Sequence, residues 1–195
     1  MDFVDARGKP CPTPVMMVRE KVLAGAEALT VLLDDAVAVA NVDRFLGGAG
    51  YRVTREDTPD GVRLHAARTN VECAPAAAPP APGDAATILI KSRFLGAESE
   101  GLGEVLMKSF LGAVALRDAP PQTVALMNDA VFLALPESSC AQTLREMEAR
   151  GATVLVCGTC TKHFGVTDRV AAGRVSNMFE IVEAVFGANR SVVIG

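Results

Sequence analysis

The sequence predicts an α/β protein: an N-terminal two-layer βαβαββ sandwich, then a three-layer α/β/α domain with a mostly parallel sheet. Three observations predict it. Short apolar runs with strand character alternate with segments of helical periodicity along the 195 residues. Residues 74–86 contain only alanine, proline, glycine and one aspartate, and they divide the chain. The rhythm differs on the two sides, with a hairpin signal in the first half and strands always separated by helices in the second.

In the first half, Phe3–Asp5 reads as a short strand, and Pro12–Leu23 carries Val15, Val18 and Val22 at helical spacing. Ala28–Leu33 is a strand stopped by Asp34 and Asp35. Val37–Leu46 is a second helix, with Gly47 and Gly48 expected to cap it. Tyr51–Glu56 and Val62–Ala67 alternate with period two around Asp60-Gly61, a strong hairpin signal. In the second half, strands are expected at Thr87–Lys91, Thr123–Met127, Thr153–Cys157 and Ser191–Ile194. Helices are expected at Gly103–Leu116, Ser138–Arg150 and Asn177–Phe186. Such a pattern builds a parallel sheet covered on both faces, with ligand sites beyond the carboxyl ends of its strands. The expected division is residues 1–72, a linker at 73–86, and residues 87–195. The alanine- and proline-rich linker favours extended backbone and acts as a semi-rigid spacer.

Composition narrows the function. The net charge is −4, from 19 basic and 23 acidic residues, and both halves are close to neutral. Neither half therefore offers the clustered basic face that nucleic acid requires. Eight Phe, one Tyr and no Trp supply few stacking platforms for bases. The acidic start, Met1–Asp5, has no secretory pattern, and Val105–Leu116 is shorter than the roughly 20 residues that span a bilayer. A soluble, cytoplasmic protein without a membrane partner is expected. The glycines at 96, 101 and 103 match no phosphate-binding fingerprint, so no nucleotide cofactor is expected.

Five cysteines cannot all pair within one chain, and in a reducing compartment they point to free, catalytic or metal-bound thiols. Cys11 lies in Asp5-Ala6-Arg7-Gly8-Lys9-Pro10-Cys11-Pro12-Thr13-Pro14. Pro12 and Pro14 suit a first helical turn, which places Cys11 beside a helix N-terminus with Arg7 and Lys9 adding positive charge. The plainer alternative is a small buried hydrophobe, which leaves the prolines and basic residues without a purpose. The second candidate is Cys157-Gly158-Thr159-Cys160, delivered by an apolar strand and followed by Lys162 and His163. A helix starting near Thr159 puts Cys160 at its N-terminus and leaves Cys157 more buried. Nucleophile, redox dithiol and zinc ligand all remain open for this pair. Zinc requires four ligands, and no second Cys-x-x-Cys exists, so no metal is expected. Cys73, Cys140 and the Met16-Met17 pair carry weaker signals.

The pattern Asp5-x-Arg7-Gly8-x-x-Cys11-Pro12-x-Pro14, with Asp34-Asp35 downstream, resembles the TusA/SirA-type sulfur-carrier family over residues 1–70. That resemblance implies a persulfide carried on Cys11. Residues 87–195 resemble the DsrE/TusD-like fold, in which a cysteine after a central strand accepts sulfur. The two domains in this order resemble the YedF family of sulfurtransferase-like selenium-metabolism proteins. Cys157, Cys160, Gly165 and Ser176–Ile181 have counterparts in that family. The resemblance implies a sulfur or selenium relay, donor and acceptor proteins as partners, and a homo-oligomer formed through the DsrE-like domain.

The expected function is transfer of a persulfide-type adduct between Cys11 and the Cys157/Cys160 site. Arg7, Gly8, Pro12, Pro14, Thr159 and Lys162 are the expected supporting residues. Cys157 is expected to resolve or release the adduct, with Lys162 and the helix dipole holding the thiolate. The alternatives are a redox protein that cycles Cys157 and Cys160 as a disulfide, and a non-enzymatic regulatory module.

Overall fold

The computed structural model describes residues 2–10, 12–69, 86–97 and 99–195. Two units separate, residues 1–79 and 80–195. Cys11, Cys73 and nearly all of the expected linker lie outside the described residues.

The first unit runs β1 (Asp2–Asp5), α1 (Thr13–Leu23), β2 (Ala28–Leu33), α2 (Ala36–Gly48), β3 (Tyr51–Thr58) and β4 (Gly61–Arg68). Its sheet order is β1-β2-β4-β3, with β1 parallel to β2 and the other pairs antiparallel. Pro14 sits in the first turn of α1, where a missing N–H costs no helical hydrogen bond. At the start of α2 the Asp35 carboxylate accepts the Ala38 N–H at 2.9 Å, which satisfies an otherwise orphaned donor. Val15, Val18, Val42 and Leu46 of the helices are buried with Leu29, Val31, Leu33 and Leu64 of the sheet. Each such side chain contributes about 1.5–3 kcal/mol relative to exposure.

The second unit runs β5 (Ala86–Ile90), α3 (Leu102–Ala115), β6 (Thr123–Leu126), α4 (Ala141–Ala149), β7 (Thr153–Cys157), α5 (Gly158–His163), β8 (Arg174–Ser176), α6 (Met178–Phe186) and β9 (Arg190–Ile194). Two 3₁₀ segments, Asn128–Ala134 and Thr167–Arg169, lie in the connections. The strand order is β8-β7-β6-β5-β9, and every neighbouring pair is parallel. From β5 to β8 the chain steps steadily across the sheet, and from β8 to β9 it returns. Right-handed crossovers then put α3 and α4 on one face and α6 on the other. Met107 and Leu111 of α3 and Leu144 and Met147 of α4 are wholly buried, as are Val124, Leu126, Val154 and Val156 of the central strands. Among the described residues, no helix is long and apolar enough to cross a membrane.

Several boundaries differ from expectation for local reasons. Gly47 and Gly48 do not cap α2 but belong to it, and the chain leaves at Ala49 before Gly50, whose φ is +84°. The helix expected from Ser138 starts at Ala141, because the Ser138 hydroxyl accepts the Cys140 N–H and holds a preceding turn. The sheet expected as mostly parallel is wholly so. Strand β8 and both 3₁₀ segments have too few residues to show a period. In the hairpin, Gly61 has φ +133°, and a Cβ there would stand 2.3 Å from the Leu33 carbonyl oxygen. Gly61→Ala is therefore expected to destabilise the first unit by about 2 kcal/mol, through the clash and the strained φ. Urea unfolding followed by circular dichroism measures this, and an unchanged midpoint would refute it.

Candidate functional site

Strands β5 to β8 are parallel, so their carboxyl ends share one edge, and the loops carrying the cysteine pair leave from it. Cys157 is the last residue of β7, paired in register with Ser176 of β8, and it caps α5. Its side chain is wholly buried. Burial pushes the Cys157 thiol up to about 11. The N–H groups of Cys160 and Thr159 bond its sulfur and oppose that rise, whereas its own S–H···Cys160 bond reinforces it. Cys157 therefore stays protonated at neutral pH.

Cys160 lies one helical turn on, half-exposed, and its Sγ accepts the backbone N–H of Asn128 at 3.1 Å. Asn128 follows the end of β6 with φ +54°, a left-handed conformation that asparagine tolerates better than most residues. Sequence reasoning missed this residue. A lone Asn after an apolar strand signals a turn, but nothing local indicates which group its amide meets.

The rest of α5 explains its own motif. The Thr161 hydroxyl is buried, donates to the Gly158 carbonyl at 3.0 Å and accepts from Thr167 at 3.1 Å. Gly165, with φ +67°, ends the helix: its N–H bonds the Lys162 carbonyl while that of Val166 reaches back to Thr161. Thr159, Lys162 and His163 are exposed. Lys162 stands two positions after Cys160, and residues so spaced do not share a helix face. Beyond β8, the Asn177 side-chain oxygen Oδ1 caps α6 by accepting the Glu180 N–H at 3.0 Å. The Glu180 carboxylate in turn holds the Arg174 guanidinium and the Ser176 hydroxyl. Ser176–Ile181 thus fixes the strand end that flanks Cys157.

An aromatic contact joins the 3₁₀ segment to the end of α5. Phe132, in the same 3₁₀ segment as Asn128, packs on Phe164 with ring centres 4.9 Å apart. Phe132 also lines a cavity of about 420 Å³ with Arg93, Phe94, Leu135 and Glu137. Arg93 lies over the Phe94 ring at 4.6 Å. Cys140 is buried at the start of α4, where burial raises its thiol, and it takes no part in this edge.

In the first unit, the residues around Cys11 form a charged turn. The Arg7 guanidinium binds Asp5 through Nε and Nη2, at 3.0 and 2.7 Å, and holds the Asp5 carboxyl down at about 2. Both Asp34 oxygens accept the Gly8 N–H, at 3.0 and 2.9 Å. Asp5, Arg7, Lys9, Asp34 and Asp60 line an open depression. Pro12 and Pro14 occupy the start of α1 as the sequence implies. Arg7 is thus committed to Asp5, and among the described residues Lys9 has no ion-pair partner. Nor, among the described residues, is any group of three or more His, Cys, Asp and Glu placed to hold a metal.

Residues 2–66 match the family model described as sulfurtransferase TusA, and residues 96–193, half of the chain, match that of the DsrE/DsrF-like family. No curated protein matches the chain. Among solved structures, the ychN protein from E. coli is similar at 17% identity, covering 57% of this chain and 100% of that one with a TM-score of 0.47. A SirA-like protein from Desulfitobacterium hafniense is similar at 27% identity, covering 34% of this chain and 95% of that one with a TM-score of 0.32.

The burial of Cys157 sets a pH dependence. Its thiol, raised to about 11, is ionised in only about one molecule per thousand at pH 8. Brief iodoacetamide treatment of the folded protein at pH 8 should therefore label Cys160 and spare Cys157, whose labelling rises only toward pH 11. Peptide mass mapping reads the result, and equal labelling of the two at pH 8 would refute it.

Proposed function

This chain belongs to the DsrE/DsrF-like family and carries a TusA-type unit ahead of that domain, and we propose that it is a sulfur relay protein whose two units pass a persulfide between Cys11 and Cys160. Both families work in sulfur relay with partner proteins. The observation that carries the reading is the state of the cysteine pair: a half-exposed Cys160 sulfur with an amide donor, beside a buried, protonated Cys157.

Cys11 first accepts a sulfane sulfur from a donor protein. The Cys160 thiolate then attacks the outer sulfur of the Cys11 persulfide. The sulfur–sulfur bond breaks, the Cys11 thiolate leaves, and Cys160 holds the persulfide. Cys157 serves as the neutral neighbour hydrogen-bonded to Cys160, and once deprotonated its sulfur can attack Sγ of the Cys160 persulfide, forming the Cys157–Cys160 disulfide and expelling the outer sulfur as hydrosulfide. Gly8, anchored by Asp34, and Arg7, anchored by Asp5, hold the turn that precedes Cys11 in the chain. Tethering through residues 73–86 raises the effective concentration of the two thiols to about the millimolar range, favouring transfer over loss of a labile adduct. Selenium, sulfur's heavier congener, can follow the same steps, as the likeness to the YedF family suggests, in a reducing cytoplasm.

The test is to load the full chain with a cysteine desulfurase and cysteine, then map masses peptide by peptide. The expected result is a one-sulfur increment on Cys11 and on Cys160. In Cys11→Ser the increment on Cys160 is lost, and in Cys160→Ser that on Cys11 remains. No increment on either residue sinks the reading. The hydrogen bond between Cys157 and Cys160 favours a second reading, a cycling dithiol, which would show a reversible loss of two hydrogens from that pair independent of Cys11.

Self-association through the second unit belongs to the same proposal. Leu102, Val105 and Leu106 of α3 and Val182 and Phe186 of α6 are exposed apolar side chains, Phe186 to 85%. Phe186→Asp should lower the solution mass measured by light scattering, and a wild-type chain that is already monomeric would contradict the oligomer.

A further inference from the structure

Successive N–H groups along a strand point to opposite neighbours. At the end of β6 the Met127 N–H bonds the Ile90 carbonyl of β5 at 3.0 Å, so the next amide, that of Asn128, points toward β7. There the ladder has already ended at Leu126 opposite Val156, and the chain after Cys157 has turned into α5. The acceptor that meets this amide is a side chain, the Cys160 sulfur, 32 residues further along. Asn128 itself is left-handed, and only one other described non-glycine residue, Glu100, has positive φ. Its side chain is exposed, so packing does not explain the residue. Backbone strain of this kind persists where the surrounding structure enforces it, and such places cluster at functional sites.

We propose that Asn128 is the positioning residue of the Cys160 site: its left-handed backbone aims one N–H at the sulfur and steadies the negative charge there. The proposal rests on Cys160 as the sulfur acceptor and adds direction to the relay. When an acceptor thiolate takes the outer sulfur from the Cys160 persulfide, the bond between the two sulfurs breaks. Its electron pair returns to Sγ, and the acceptor leaves as a persulfide. Charge appears on the atom the Asn128 amide faces, so the donor acts most on discharge of the loaded site.

The test uses the full chain with Asn128→Gly, Asn128→Ala and Asn128→Val. Glycine keeps the left-handed backbone and the amide, alanine tolerates the conformation poorly, and branched valine tolerates it least. Two rates are read: alkylation of Cys160 as a function of pH, and discharge of a preloaded Cys160 persulfide to dithiothreitol. The expected order is wild type and Gly alike within about twofold, Ala slower, and Val about tenfold slower, the effect of one charge-assisted hydrogen bond. The alkylation profiles of Ala and Val move to higher pH, which a merely structural role would not produce. Ala replaces Val as the deciding variant if Val does not fold. Equal rates and profiles in Gly, Ala and wild type would overturn the proposal, as would a Gly variant as slow as Ala. Alkylation needs no sulfur donor, so absence of sulfur on wild-type Cys160 would overturn the acceptor reading while the alkylation series still judged the amide.

Discussion

The ladder between β6 and β7 ends at Leu126 and Val156, and both chains must leave the sheet within a residue or two of that point. Everything around the cysteine pair follows from that termination. One chain turns into α5 at Cys157, burying that thiol under the helix it caps. The other turns into a 3₁₀ segment at Asn128, releasing an amide that no strand can satisfy. The Cys160 sulfur accepts that amide at 3.1 Å. On the outer side, Ser176 continues the pairing to Cys157, and Asn177 with Glu180 clamps the turn beyond it. The site is the place where the buried central strands of a parallel sheet run out of partners.

Burial divides the labour between two cysteines only three residues apart. Cys157 loses solvent and keeps its proton, whereas Cys160 retains exposure and faces an amide. The same Cys-x-x-Cys in a more open turn would present two comparable thiols and favour disulfide cycling. The first unit solves a different problem. Its charged turn is exposed, so Arg7 and Asp5 hold each other through a bidentate contact that salt screens in part. Its geometry depends more on the Gly8 amide held by Asp34, a link of 26 residues, than on that local ion pair.

Much of this was legible in the chain. The alternation of apolar runs, the Asp60-Gly61 hairpin and the Pro12/Pro14 helix start are local signals, and each element they imply is present. What escaped was short or cooperative. Strand β8 has three residues and exists because β7 offers it an edge. The 3₁₀ segment at Asn128–Ala134 has no period to detect. Gly47 and Gly48 looked like a helix end, yet α2 runs through both and the chain departs only before Gly50, because helix packing overrides weak propensity. Lys162 reads as a cation close to Cys160 along the chain, but helical geometry sends the two side chains to different faces.

Sequence alone was enough for the α/β class and its elements, because periodicity and turn chemistry act over a few neighbouring residues. Tertiary structure decided which thiol keeps its proton and which amide faces the other. Protonation depends on how completely α5 and the strands exclude water from Cys157, and donor placement depends on residues 32 apart meeting where two strands end. Desolvation and hydrogen bonding are set by distance in space, and spacing along the chain does not encode that distance until the sheet has formed.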